Sequence, residues 1–533
     1  DVSGAAAQEA AQDLNIKDEI NVDLIDLTEL RQAAEEQIDM PPLRLSLQEA
    51  VAMALKNNED ILVTSYEPMK ADADIYTAQG EFDPFLQGSS VYTDASMTAD
   101  QQIVRYTGIT ALKQENTDTK LGIGGKTRAG TQYQVQFDFQ AATSTFGDYE
   151  TQYDSLLMLT LTQPLLRGFG TKVNTIRIEQ AHRARRMSEQ PLKVATLKAI
   201  GEVVKGYWDL AYTVDAVQVR IESLKNAERL LEINETRRKI GTAADIEVLQ
   251  AKAGVAGRQS EVIAASARAN DAGNLLKQAL GMREGDRLAR VKLVPTDRPN
   301  PESHDIFDLT QYDTSLEKSV KIALEKRPEL TMSDMEIEVA ALDALSARDK
   351  MKPQIDIVGG YGQGARDSVI STTLSGIVDR KDFTYSIGVQ GTVAINNRAA
   401  RGAHQRAELT KRQAEERRKQ TELALITAVH LAASNVKANQ ILVESNRQAV
   451  RLQEANVAAD EKRLRLGVAT SFEVLRTQED LASAKNMELQ ARVAYEKSIV
   501  ELQSAQGTLL EDLGVAFAVP ETEINPVPYS ESI

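Results

Sequence analysis

The sequence predicts a mainly α fold that carries a β section of membrane-barrel type. It is assembled from a helix–strand–strand–long helix–helix unit present twice. Three observations predict this. Ser46 to Leu55 is echoed by Ser315 to Leu324, and Ile240 to Leu249 by Leu466 to Leu475. A repeat this long is no solenoid and marks a duplicated domain. The long runs are dominated by Ala, Gln, Glu, Lys and Arg with only 5% aromatic residues, a composition that favours extended helices over compact cores. Finally, Phe383 to Val393 alternates strictly, with Phe, Tyr, Ile, Val, Gly and Val on one face and Thr, Ser, Gly, Gln and Thr on the other. That is the dyad of an outer-membrane strand.

Taken in order, residues 1–42 are acidic, rich in Ala and Gln, and closed by Pro41 and Pro42; they form a leader arm, partly disordered or loosely helical. The first repeat, 43–280, holds an upper helix over 46–80 and strands within 84–163. A long helix over 171–240 and a helix over 245–280 follow. An inter-repeat linker covers 281–314. The second repeat, 315–513, has an upper helix over 315–350, strands within 353–395, a long helix over 396–466 and a helix over 471–510. A tail covers 514–533. Two short helices end to end match one long helix of about 105 Å at 1.5 Å per residue, so an antiparallel layout closes. Gly241 and Gly467 stand where the long helices reverse, as C-cap residues that tolerate positive φ. Asp245 and Ser471 are the expected caps of the helices that follow.

The β segments are counted as four strands. Gln354 to Ile357 and Leu157 to Thr162 repeat the alternation less cleanly than 383–393. Four strands cannot close a barrel, and an open edge cannot sit in lipid, so several chains must share one. The first repeat has a longer β segment than the second. Its surplus contains Leu121 to Gly125 and Tyr133 to Phe139, a hairpin turned at Ala129 and Gly130. It is expected as an extracellular insertion, where barrels carry their longer loops.

A net charge of −16 disfavours nucleic-acid binding. Zero cysteines exclude disulfides, thiolate metal sites and a lipidated N-terminal Cys. No apolar run is long enough for a transmembrane helix. The chain opens at Asp1 without a basic-then-apolar leader, which reads as a mature product after leader removal. Gly125, Lys126 and Thr127 mimic the end of a phosphate loop, but Lys120 occupies the place of the required Gly, and a strand follows where a helix is needed. His182, His304, His404 and His430 are scattered without metal-ligand spacing, and no nucleophile–base set assembles. The expectation is therefore no enzyme, no cofactor and no metal. Arg177, Arg183, Arg185, Arg186, Arg398, Arg401 and Arg406 follow the strands in the two halves. They are either a solvated helix face or a basic collar on anionic lipid heads.

The chain resembles the TolC-like outer membrane efflux proteins over about residues 43–514. The marks are the Leu47, Ala50, Ala54, Leu55 opening and its echo, the Thr162–Gln163–Pro164–Leu165–Leu166 exit from a strand, and the two Gly turns each followed by Glu-Val-Leu. The resemblance implies a homotrimer with a twelve-stranded β-barrel in the Gram-negative outer membrane and a periplasmic α-helical barrel. It also implies docking to a periplasmic adaptor and an inner-membrane transporter, in a tripartite efflux or type I secretion system. On that resemblance Gly241, Thr242, Gly467 and Val468 lie at the periplasmic tips where the adaptor docks, and Glu247 and Glu473 line the entrance. Where some members carry a further Asp, this chain has Arg476, which points to a Glu–Arg gating network. A first-turn acid that complements the helix dipole explains Glu247 and Glu473 equally well. The competing reading is a periplasmic coiled-coil structural or adaptor protein with a β-sandwich head, which the strict alternation at 383–393 disfavours.

Overall fold

The computed structural model describes residues 42–144, 150–242, 244–283, 291–300, 312–379 and 382–515. The leader arm apart from Pro42, the tail beyond Val515 and His304 lie outside the described residues. In chain order the elements are β1 (Leu43–Leu45), α1 (Leu47–Asn57), α2 (Glu59–Gln79), β2 (Phe85–Thr98), α3 (Gln101–Thr107), β3 (Ala111–Lys126), β4 (Gln132–Ser144) and β5 (Thr151–Pro164). Then come α4 (Ile176–Lys239), α5 (Asp245–Ala279), β6 (Leu293–Pro295), α6 (Tyr312–Lys326), α7 (Pro328–Lys350), β7 (Gln354–Asp367), α8 (Ile370–Val378), β8 (Asp382–Thr392), α9 (Arg398–Arg465) and α10 (Ser471–Gln506). The chain divides into two compact units. The first comprises residues 1–59, 196–320 and 429–515; the second comprises 60–195, 321–428 and 516–533.

The first unit is helical. Its parallel β1–β6 pair aligns Leu43 with Leu293. Tyr207 is fully buried beneath this pair, donating its hydroxyl to Leu45 O at 3.0 Å and Asp297 Oδ2 at 2.8 Å. Asp297 Oδ2 also accepts the Leu47 amide at 2.8 Å, so one carboxylate joins the α4 core to the start of α1. Helix α1 begins with a full capping box, Ser46 and Glu49 bonding reciprocally.

Both upper helices, expected as single elements, are broken. In the first repeat Asn58 is extended at φ −64°, ψ 124°, and its side-chain Nδ2 donates to Ala279 O at 2.9 Å. In the second, Arg327 is extended because Pro328 follows, and proline disfavours the α conformation in the residue before it. Pro328 then opens α7 at a position where its missing N–H costs nothing. The long helices fall close to expectation, α4 with 64 residues and α9 with 68. Helix α10 ends earlier than expected, at Gln506, where Gly507 takes φ 77°, and a separate short helix, Leu509–Asp512, follows.

The second unit carries one antiparallel sheet in the order β2-β3-β4-β5-β7-β8. It has six strands, not the four counted from alternation. The hairpin expected as an extracellular insertion is β3–β4, inside the sheet between β2 and β5. Its signal was strong enough to mark a hairpin. Its place depends on pairing with β2, whose Ser, Gly and Thr content hides the alternation. Glycine permits close approach at the hairpin base, where a Cβ on Gly125 would meet the Tyr133 hydroxyl at 2.5 Å.

Candidate functional site at the Gly241 and Gly467 turns

Both turns lie in the first unit and share one geometry. Gly241 takes φ 79° and Gly467 φ 75°, the left-handed region that favours glycine. Thr242 N donates to Arg237 O at 2.8 Å and Gly241 N to Arg238 O at 3.0 Å. Val468 N donates to Arg463 O and Gly467 N to Leu464 O, both at 3.0 Å. These are paired Schellman bonds that satisfy the last helical carbonyls. Around them Ile240, Ile246, Leu249, Leu466, Val468 and Phe472 are exposed, an apolar surface on the turn end of the unit.

The caps differ from those expected. Thr470, not Ser471, caps α10: Glu473 N donates to Thr470 Oγ1 at 3.3 Å and Thr470 N to Glu473 Oε2 at 3.0 Å. Asp245 is already inside α5, and the cap residue Ala244 has no side-chain acceptor. The two acids therefore do different things. Glu473 closes its own capping box. Glu247, with no such partner at Ala244, reaches sideways: its Oε2 accepts from Ser471 Oγ at 3.4 Å and from Arg237 Nη1 at 3.5 Å. Ser471 Oγ donates to Asn234 Oδ1 at 2.8 Å, and Asn234 is fully buried. Glu247, Asn234 and Ser471 so join the two turns within one chain. Arg476 is exposed and makes no hydrogen bond or ion pair among the described residues.

Behind the turns lies a core of Leu224, Leu230, Val255, Leu464, Val474 and Leu475. Arg258 enters it, only 7% exposed, donating to Ser223 Oγ and Leu475 O at 3.0 Å each. Its Nη2 lies 3.8 Å from Glu479, which also pairs with Arg220 at 3.1 Å. The sequence reading missed this group. An arginine beside Gly254 and Gly257, with Ala484 at the equivalent place in the other repeat, was the available signal. Small neighbours leave room for a buried guanidinium.

In the second unit the basic residues divide. Arg183 bonds Glu179 at 2.8 Å and Glu338 at 2.9 Å, and the bond to Glu179 leads in holding its guanidinium above the ordinary pKa. Burial works against the charge on Arg185, yet Asp72 and Glu189, each at 2.6 Å, outweigh it and leave its pKa raised. Both arginines tie α4 to its neighbouring helices. Arg177, Arg186, Arg398, Arg401 and Arg406 are exposed. Among the described residues no helix is long and apolar enough to cross a membrane, and no group of three His, Asp or Glu side chains is placed to hold a metal ion.

The sheet sorts its side chains by face. The pairing registers place Leu86, Ile123, Val135, Leu159, Tyr361 and Tyr385 in one row on one face, all of them exposed. Gln87, Gly122, Gln136, Met158, Gly362 and Thr384 form the adjacent row on the other.

Comparison with known proteins agrees with this architecture. The profile of the outer membrane efflux protein family matches residues 50–282 and 320–508, one segment in each repeat. The chain belongs to that family. The pyoverdine export outer membrane protein OpmQ of Pseudomonas putida is 22% identical over 324 residues, which is 61% of this chain and 64% of that relative. The match thus spans less than two thirds of the relative's length. Among solved structures the fold is similar to CusC, with a TM-score of 0.64, 14% identity, and coverage of 87% of this chain and 92% of that one. It is also similar to the CmeC outer membrane channel of Campylobacter jejuni, with a TM-score of 0.61, 18% identity, and coverage of 87% and 86%.

Proposed function

We propose that the chain is the outer-membrane exit duct of a tripartite efflux or type I secretion system, working as a homotrimer and performing no chemistry. The observation that carries this reading is the sheet, whose exposed apolar rows back onto polar ones. It is shaped for lipid on one side and water on the other. Its outer edges, on β2 and β8, have no partner strand among the described residues, and backbone groups left unpaired in lipid cost several kcal/mol each. Other copies supply the missing partners.

The apolar, Schellman-closed turns at Gly241, Thr242, Gly467 and Val468 form the surface on which a periplasmic adaptor docks, itself joined to an inner-membrane transporter. Gating takes place there. Arg476, unengaged among the described residues, contacts acids of a neighbouring copy at rest, and Glu247 and Glu473 supply the charge around it. Exposed Arg398 and Arg401, with Arg186, meet lipid head groups. Arg183 and Arg185 are already engaged by acids and stiffen the helices behind them.

The test is reconstitution into lipid vesicles with a small trapped solute. The duct reading expects slow leakage from vesicles holding the wild-type chain and faster leakage with Arg476→Glu. A protein that stays in aqueous solution without detergent and leaves the vesicles tight would instead favour the coiled-coil adaptor with a β-sandwich head.

A further inference from the structure

Resting on the duct reading, we infer that the barrel wall has eighteen strands, six from each of three chains, and is wider than the twelve strands implied by four per chain. The deciding element is the β3–β4 hairpin. Its strands hold 16 and 13 residues, against 14 in each of β2, β5 and β7. About ten residues suffice to cross a membrane, so both hairpin strands are full spans.

The hairpin also lies at the right height. Its turn falls at the end of the sheet where the helices attach: Phe85, which opens β2, pairs with Gly124, and Lys126 pairs with Gln132, itself opposite Thr162. Gly170 N donates to Ala129 O at 3.1 Å, fastening that turn to the segment leading into α4. A hairpin lying above the barrel would turn at the opposite end.

Its faces match those of its neighbours. Leu121, Ile123, Val135 and Phe137 fall in register with Leu157 and Leu159 of β5 and, through them, with Tyr361 of β7. Lys120 and Asp138 face each other on the polar side and continue across Leu156 and Gly364 to Asp382. One apolar band therefore crosses all six strands. If β3 and β4 left the wall, β2 and β5 would each lose a complete ladder, and the band would be interrupted.

Closure then takes one seam per chain. In a six-stranded antiparallel sheet the outermost strands run in opposite directions, so β8 of one chain meets β2 of the next antiparallel. The seam is 11 to 14 residues long. With strands about 4.8 Å apart and tilted about 40°, eighteen give a wall radius of roughly 18 Å and twelve roughly 12 Å. The exit is thus about twice as large in cross-section, suited to a bulkier cargo.

The experiment is electron cryomicroscopy of the full chain in detergent, reading strands in a cross-section of the wall. Three-fold particles with eighteen strands support the inference. Three-fold particles with twelve strands and the hairpin outside the wall overturn it while leaving the duct reading intact. Particles with no shared barrel overturn the duct reading itself. A second reading needs no image. In this cysteine-free chain, Phe137→Cys carrying a fluorophore is quenched by brominated lipid if the hairpin is in the wall. Unquenched fluorescence that responds to an aqueous quencher places it outside. Deleting residues 111–144 joins an upward β2 to a downward β5 and should narrow the wall from eighteen strands to twelve in the same kind of image. A correctly inserted deletion variant whose wall keeps the wild-type strand count would overturn the inference.

Discussion

The Gly241 and Gly467 turns have the same backbone and are each followed by the same Glu-Val-Leu, yet they hold their glutamates differently. At the second turn Thr470 accepts the Glu473 amide, and Glu473 returns the bond to Thr470 N. At the first turn Ala244 stands in the threonine's place and offers no oxygen. One missing hydroxyl releases Glu247 to bridge Arg237 and Ser471. Asn234 completes the bridge from full burial, whereas Asp460 at the equivalent position is partly exposed and spends its carboxylate on Arg463 at 3.0 Å. Duplication followed by divergence has made one turn a self-contained cap and the other a fastener between the two hairpins.

Substitutions in the two turns should separate their roles. The largest effect is expected at Arg258, present only in the first repeat. Arg258→Ala strips Ser223 and the Leu475 carbonyl of a buried donor and leaves a void, a loss of about 2–3 kcal/mol. It should show as a clear fall in the thermal midpoint in detergent, while Ala484→Ser at the matching site should change it little. Next, Asn234→Ala should cost about 1–2 kcal/mol by leaving the Ser471 hydroxyl without its buried acceptor, against under about 0.5 for Asp460→Ala. Equal losses in the two melts would refute the fastener. Smaller again, Thr470→Ala should cost about 1 kcal/mol as a lost cap, and Ala244→Thr should recover a similar amount by drawing Glu247 into a capping box of its own.

The smallest effect is one of pH. Burial pushes the Asp215 carboxyl above its ordinary range, with Arg298 at 3.0 Å pulling down without offsetting it. The folded protein therefore holds that proton where the unfolded chain has lost it, and the associated stability is present at acid pH and declines as pH rises through the raised value. The stability of the wild type relative to Asp215→Asn should fall across that window in paired pH-dependent melts. A difference that rises with pH would contradict the raised pKa.

Much of this is legible in the sequence. The long helices could be read because their Ala-rich runs continue without a breaker between the strand exits and Gly241 or Gly467. The turns could be read because glycine there must take positive φ. The hairpin residues were visible too, but not their place in the sheet, since pairing with β2 is a long-range choice and β2 reads Gly-Ser-Ser where an apolar alternation would have announced it. The break at Asn58 was hidden because it answers to Ala279, more than two hundred residues away in sequence. Glu247 and Glu473 looked equivalent because the difference between them lies in the residue three positions earlier, whose importance shows only when the cap is built.

A membrane duct held shut at the two turns should reveal itself in single-channel recording of the purified full chain in a planar bilayer, with Arg476→Glu beside the wild type. Discrete conductance steps are expected, small for the wild type and several-fold larger for the variant. Steps of equal size in the two proteins would contradict gating by Arg476, and inserted protein that gives no steps at all would contradict the duct.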